Sequence, residues 1–103
     1  MRIVVIGAGG IGGWLGARLA ASGQQVGFLV HDRTLAALRS SGLTLRDCSR
    51  GEPGFVTARI ETPLASEDPQ ALTETLEGQP DLVLVTTKVD ALAPLAPALR
   101  VLT

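Results

Sequence analysis

Gly7, Gly9 and Gly12 stand at the G-x-G-x-x-G spacing whose chemistry is the holding of a pyrophosphate by bare backbone. In that pattern the first glycine permits a tight turn, and the second lets the main chain approach the ligand. The third lets a helix pack closely on a strand. Two further groups of residues carry chemistry. His31-Asp32-Arg33 combines a carboxylate, which suits a ribose 2′-hydroxyl and repels a 2′-phosphate, with a guanidinium that suits the phosphate. Thr86-Thr87-Lys88 ends in an ammonium able to hold a ribose or a carboxylate as a point charge.

The glycines alone could serve packing, so their context decides. Ile3 to Ile6 is a short β-branched run of the kind buried on both faces of a parallel sheet. After the glycines, Ile11, Leu15 and Leu19 recur at helical spacing, and Ala21-Ser22-Gly23 ends the helix with Gly23 just past its last turn. The helix would point its unpaired amides and positive dipole end at the pyrophosphate. Val26 to Val30 reads as a second strand, which completes a βαβ unit with a right-handed crossover. His31-Asp32-Arg33 falls at the end of that strand, where such folds touch the adenine ribose.

Further along, Thr34 to Ser41 predicts a short helix closed by Gly42, with Asp32 as its alternative role of N-cap. Leu43 to Arg46 and Phe55 to Ile60 alternate as a β-hairpin whose polar tip holds Gly51, Pro53 and Gly54. Ser66-Glu67-Asp68-Pro69 opens a helix with Ala71, Leu72 and Leu76 inward and Gly78 at its end. Leu82 to Thr86 reads as the third buried strand of the parallel sheet. Val89 to Leu99 has helical spacing, shortened or kinked by Pro94 and Pro97. Arg100 to Thr103 reads as the opening of another strand.

At 103 residues the chain is one domain, 1–103, with a real core. Its net charge of -1 supplies no field to attract nucleic acid or an anionic membrane, and neither is expected as a partner. Cys48 is the single cysteine, so it forms no internal disulfide and builds no metal site by itself. Nothing beside it supports a reactive thiol, and a reducing cytoplasm is the simplest compartment. The apolar N-terminus is dense in glycine, interrupted by Arg18 and too short to span a bilayer, which argues against a signal or anchor reading.

The block from Met1 to Ala20 (MRIVVIGAGGIGGWLGARLA) resembles the ketopantoate reductase (2-dehydropantoate 2-reductase) family. Leu35 to Leu43 and Asp81 to Lys88 agree with that family in order and spacing. The resemblance implies an α/β fold, a Rossmann-type doubly wound parallel sheet with the hairpin as an excursion. It also implies NADPH-dependent reduction of a 2-oxo acid, 2-dehydropantoate to pantoate, in pantothenate and coenzyme A synthesis. Gly7, Ala8, Gly9, Gly10, Ile11 and Gly12 would line the pyrophosphate. Lys88 matches the family lysine near the nicotinamide ribose and substrate, with Thr86 and Thr87 beside it in the cofactor site; a solvated lysine at a strand end is the plainer reading. The family's general-acid lysine, its substrate-binding asparagine and its helical domain would lie beyond Thr103. The chain is therefore expected to be the truncated front of a longer enzyme, with no catalytic residue of its own and no turnover alone.

His31 stands where the family has an arginine for the NADP 2′-phosphate. Arg33 is placed to take over that role, with His31 stacking or donating. Asp32 lies at about the twenty-residue spacing at which an acidic residue grips the 2′-hydroxyl of NAD. Family habit favours NADP over NAD. Another NAD-dependent oxidoreductase and a non-catalytic NAD(P)-sensing module are the competing functions. Trp14, early in the first helix, is expected to pack on a neighbouring element, or else to border the nicotinamide pocket. Arg18, Arg39 and Arg59 read as solvated. Self-association, or a partner chain, is expected to cover the sheet edge.

Overall fold

In this computed structural model, residues 1–7, 10–47, 55–86 and 96–103 are described. The elements in chain order are β1 (Arg2–Ile6), α1 (Gly10–Ala21), β2 (Gln25–Leu29), α2 (Asp32–Ser41), β3 (Leu43–Asp47) and β4 (Phe55–Ile60). β5 (Leu64–Ser66), α3 (Pro69–Thr75), β6 (Leu82–Val85) and α4 (Ala96–Leu102) follow. Four strands form one parallel sheet in the order β5-β2-β1-β6. Its central strand, β1, pairs Ile3 with Val26 on one side and with Leu82 on the other.

The period-two alternation of β1 divides the core between the two faces of the sheet. Ile3 and Val5 join Val26, Phe28 and Val30 under Leu35 and Leu38 of α2. Val4 and Ile6 face the other way, with Leu29, and pack against Leu72 and Leu76 of the α3 region and Leu102 of α4. Burying each such side chain stabilises the fold by about 1.5–3 kcal/mol over leaving it exposed. Helices on both faces of a parallel sheet make this the expected α/β doubly wound arrangement.

α1 meets the sheet through small residues and not through the predicted stripe. Gly12, Gly13, Gly16 and Ala17 are buried, while Leu15 and Leu19 are only half-buried. The reason is distance: the helix axis comes too close to the sheet for leucines to fit between. Leu19 instead joins Leu43 and Ile60 of the hairpin at the rim of the core. β3 and β4 pair antiparallel as expected, with a register shift between Leu45 and Arg46, and lie against α1. Their tip, including Cys48, lies outside the described residues.

Several local expectations are corrected. Asp32 does not cap α2, because the N-cap is His31, in extended backbone and without a side-chain hydrogen bond. The His31 carbonyl accepts from Thr34 N and Leu35 N instead. Asp32 is the first helical residue and takes φ +46°. α3 is capped by Asp68, whose Oδ1 accepts from Gln70 N at 3.0 Å, with Pro69 in the first turn as expected. The reversal at its end falls on Glu77, at φ +61°, ahead of Gly78.

β5 is a strand of three residues that periodicity did not reveal. β6 is the fourth strand of the sheet and not a fully buried one: Leu82 and Val85 are 41% and 39% exposed, since β6 ends the strand order. Arg100 to Leu102 continue α4, and Thr103 N closes the last turn on Leu99 O at 2.9 Å. Leu102, 1% exposed, needs the helix to reach Leu72 and Leu76. Val89 to Leu95 lie outside the described residues.

Candidate nucleotide-binding site

The chain runs from β1 outward through β2 to β5, then returns to the opposite side of β1 for β6. The strand order therefore reverses between β1 and β6, and open α/β sheets take ligands outside the carboxyl ends of the strands at such a point. Gly7 follows β1 there, and Thr86 follows β6. Gly7 adopts φ +93°, a conformation that favours glycine, and turns the chain toward α1. Its N–H donates to Leu29 O at 3.0 Å, while Thr86 N donates to Ile6 O at 3.1 Å, so the sheet ladder extends to the edge of the turn.

Gly12 makes the closest approach. A Cβ on it would stand 2.3 Å from Gly7 O and 2.4 Å from Thr86 Oγ1. The Thr86 hydroxyl donates to Ile6 O at 2.8 Å and lies 3.3 Å from Gly7 O. Three residues thus lock the end of β1, the first turn of α1 and the end of β6 into one seam without a side chain from the glycines. α1 starts at Gly10, and the first N–H groups of a helix lack intrahelical partners, with the positive end of the dipole beside them. That chemistry fits a diphosphate.

Of the residues singled out in the sequence, Gly7, Gly12 and Thr86 come together at this seam, and Gly10 begins α1. Thr86, expected among the ligand contacts, gives its hydroxyl to main-chain carbonyls. Ala8, Gly9, Thr87 and Lys88 lie outside the described residues, as does the side chain of Ile11. His31, Asp32 and Arg33 lie together and exposed beyond the carboxyl end of β2.

Glu67, directly after β5, was missed. Its Oε2 lies 3.9 Å from His31 Nδ1, an exposed ion pair when the imidazole is protonated. The signal that would have found it was the parallel strand before it, which is too short to show a period. Asp32 and Glu77 are the non-glycine residues with positive φ among those described, and Asp32 is the one at this end of the sheet.

Trp14 is 49% exposed, which corrects the expectation that it packs on a neighbouring element. The Arg18 guanidinium covers its ring, 5.6 Å from the centroid. Arg59 is exposed yet reaches Thr44 Oγ1 and Ser41 O, tying the hairpin to the end of α2. Among the described residues, no group of three or more His, Cys, Asp or Glu is arranged to hold a metal ion. No helix among them is long and apolar enough to cross a membrane.

Comparison with known proteins agrees with this geometry. A crystal structure of a candidate ketopantoate reductase from Ralstonia solanacearum MolK2 is 37% identical, with a TM-score of 0.76 over 98% of this chain and 28% of that one. The uncharacterized oxidoreductase YkpB of Bacillus subtilis (strain 168) is 34% identical over 92 residues, 89% of this chain and 26% of that protein. The chain thus spans about a quarter of the length of these relatives. The family model for ketopantoate reductase PanE/ApbA matches residues 3–103. With nearly its whole length matched and the glycine seam at the switch point, the chain belongs to the ketopantoate reductase family.

Proposed function

We propose that residues 1–103 are the cofactor domain of a longer NADPH-dependent 2-oxo acid reductase that converts 2-dehydropantoate to pantoate for pantothenate synthesis. The observation that carries this reading is the seam of Gly7, Gly12 and Thr86 at the β1–β6 switch point. Bound NADPH supplies a hydride to the carbonyl carbon of the 2-oxo acid. This chain's own residues bind and orient. The main chain from Gly7 to Gly12 holds the diphosphate, and His31 with Arg33 serves the 2′-phosphate. Lys88, two residues after Thr86, holds the nicotinamide ribose or the substrate carboxylate as a point charge. The general acid belongs to chain beyond Thr103. The enzyme works in the cytoplasm, and a second copy covers the open sheet edge.

One observation favours NAD as a second cofactor reading: Asp32 and Glu67 place two carboxylates at the ribose end, and both oppose a 2′-phosphate. Titration with NADPH and NADH, with an assay of 2-dehydropantoate reduction, tests the proposal. Tighter NADPH binding with no turnover by the 103-residue chain is expected. Tighter NADH binding overturns the NADP preference. Turnover by these residues alone overturns the division of labour, and binding of neither nucleotide overturns the reading altogether.

A further inference from the structure

We infer that Thr86 is a positioning residue for the diphosphate, acting through the Gly7 carbonyl and not by touching the ligand; the inference rests on the dinucleotide reading above. A carbonyl oxygen is a fixed partial negative charge. At the mouth of an anion site it must be turned away and given a donor, or it competes with the ligand for space and repels it. Gly7 O is the carbonyl at issue, because it belongs to the residue at which β1 turns toward α1.

The geometry shows how it is held. Gly7 O lies 3.3 Å from Thr86 Oγ1, and it would be 2.3 Å from a Cβ on Gly12. It is therefore directed into the gap between α1 and β6. A hydroxyl has one proton, and the 2.8 Å contact to Ile6 O is the shorter of the two. The Thr86 proton therefore lies mainly toward Ile6 O, with Gly7 O as the second and weaker acceptor of a three-centre bond, and Thr86 N adds another donor to Ile6 O at 3.1 Å. Neither oxygen is left to face an incoming anion. Valine has the shape of threonine without the proton, so it would leave Gly7 O, in a part-buried setting, with no donor from β6. The Gly7 peptide is then free to rotate its oxygen toward the ligand.

The test is an NMR titration of the full chain, which reads millimolar as well as micromolar binding, with NADPH, ADP and adenosine 2′-monophosphate. ADP carries the diphosphate; adenosine 2′-monophosphate lacks it and reports on the ribose end alone. Thr86→Val is expected to weaken NADPH and ADP about tenfold, or about 1.4 kcal/mol, and to leave adenosine 2′-monophosphate within about twofold. Thr86→Ser, which keeps the hydroxyl, is expected to bind all three as the parent does.

Unchanged NADPH and ADP affinity in Thr86→Val overturns the inference. So does an equal loss of all three ligands, which would mark a general structural role, and so does a loss in Thr86→Ser. If Thr86→Val does not fold, Thr86→Ala replaces it with the same expectation. A chain that folds with neither needs the hydroxyl for its fold and not for its ligand, which also overturns the inference. A parent that binds neither NADPH nor ADP overturns the dinucleotide reading itself, whereas a parent that binds beside unaffected variants overturns this inference alone.

Discussion

Gly16 and Phe28 share one space: a Cβ on Gly16 would stand 2.4 Å from both Cε1 and Cζ of the Phe28 ring. Phe28 is fully buried, so its ring has nowhere to retreat. In an exposed helix, alanine would be favoured over glycine by about 1 kcal/mol. Here that gain is opposed by an overpacking cost of about 1–3 kcal/mol, increased by the rigidity of an aromatic ring. Gly16→Ala is expected to destabilise the fold by about 1–2 kcal/mol, seen as a lower urea midpoint at constant slope. A midpoint equal to the parent's would show that α1 can lift from the sheet at little cost.

Gly12 is more constrained still, because its nearest neighbour is main chain. The backbone oxygen of Gly7 at 2.3 Å cannot swing aside as a side chain would. Gly12→Ala must push α1 away from the turn and open the seam that the proposed diphosphate site needs. NADPH affinity is expected to fall at least about tenfold, a loss of about 1.4 kcal/mol or more. Calorimetry that finds parental affinity would separate the glycine seam from the ligand.

At the opposite end of the sheet, Arg2 fastens β1 to the end of α3. Its Nε donates to Leu76 O at 2.7 Å, and its backbone N–H donates to Asp81 Oδ2 at 2.8 Å. The guanidinium bond is part-buried and satisfies a carbonyl that the helix end leaves open. Arg2→Met keeps the apolar stem and removes the donor, with an expected cost of about 1–2 kcal/mol. Equilibrium urea unfolding measures it, and a change below about 0.5 kcal/mol would mean that water replaces the donor.

Asp32 combines a left-handed backbone with a carboxylate at the proposed ribose end. Asparagine tolerates the same φ and removes the charge, so Asp32→Asn isolates electrostatics from strain. The ratio of NADPH to NADH affinity is expected to rise at least about threefold, with stability unchanged within about 0.5 kcal/mol. Paired titrations with the two nucleotides decide it. An unchanged ratio would assign Asp32 to the geometry of the turn and not to cofactor choice.

The legible parts of the fold were those with a strong local period. Ile3 to Ile6, the glycines, Val26 to Val30 and the two alternating runs of the hairpin led directly to β1, α1, β2, β3 and β4. β5 was not legible because three residues, Leu64 to Ser66, carry no period, and Glu67 went unnoticed with it. Arg100 to Leu102 looked like a strand because an apolar run is silent about period until Leu72 and Leu76 supply the surface it must meet. Leu15 and Leu19 looked like the buried stripe of α1, and the glycine face displaced them once the helix drew close to Phe28. At the site, Gly7 and Gly12 were readable from spacing. The hydroxyl contacts of Thr86 join residues some eighty positions apart, and no local pattern encodes them.

Among the described residues β6 closes the sheet order with a neighbour on one side only, and Leu82 and Val85 stand half in water along it. A strand so placed carries a rim of amide donors and carbonyl acceptors that invites any passing extended segment to anneal. The colloidal behaviour of this stretch of polypeptide is thus set at the margins of its sheet, β6 and β5, however well the two halves of the core are filled.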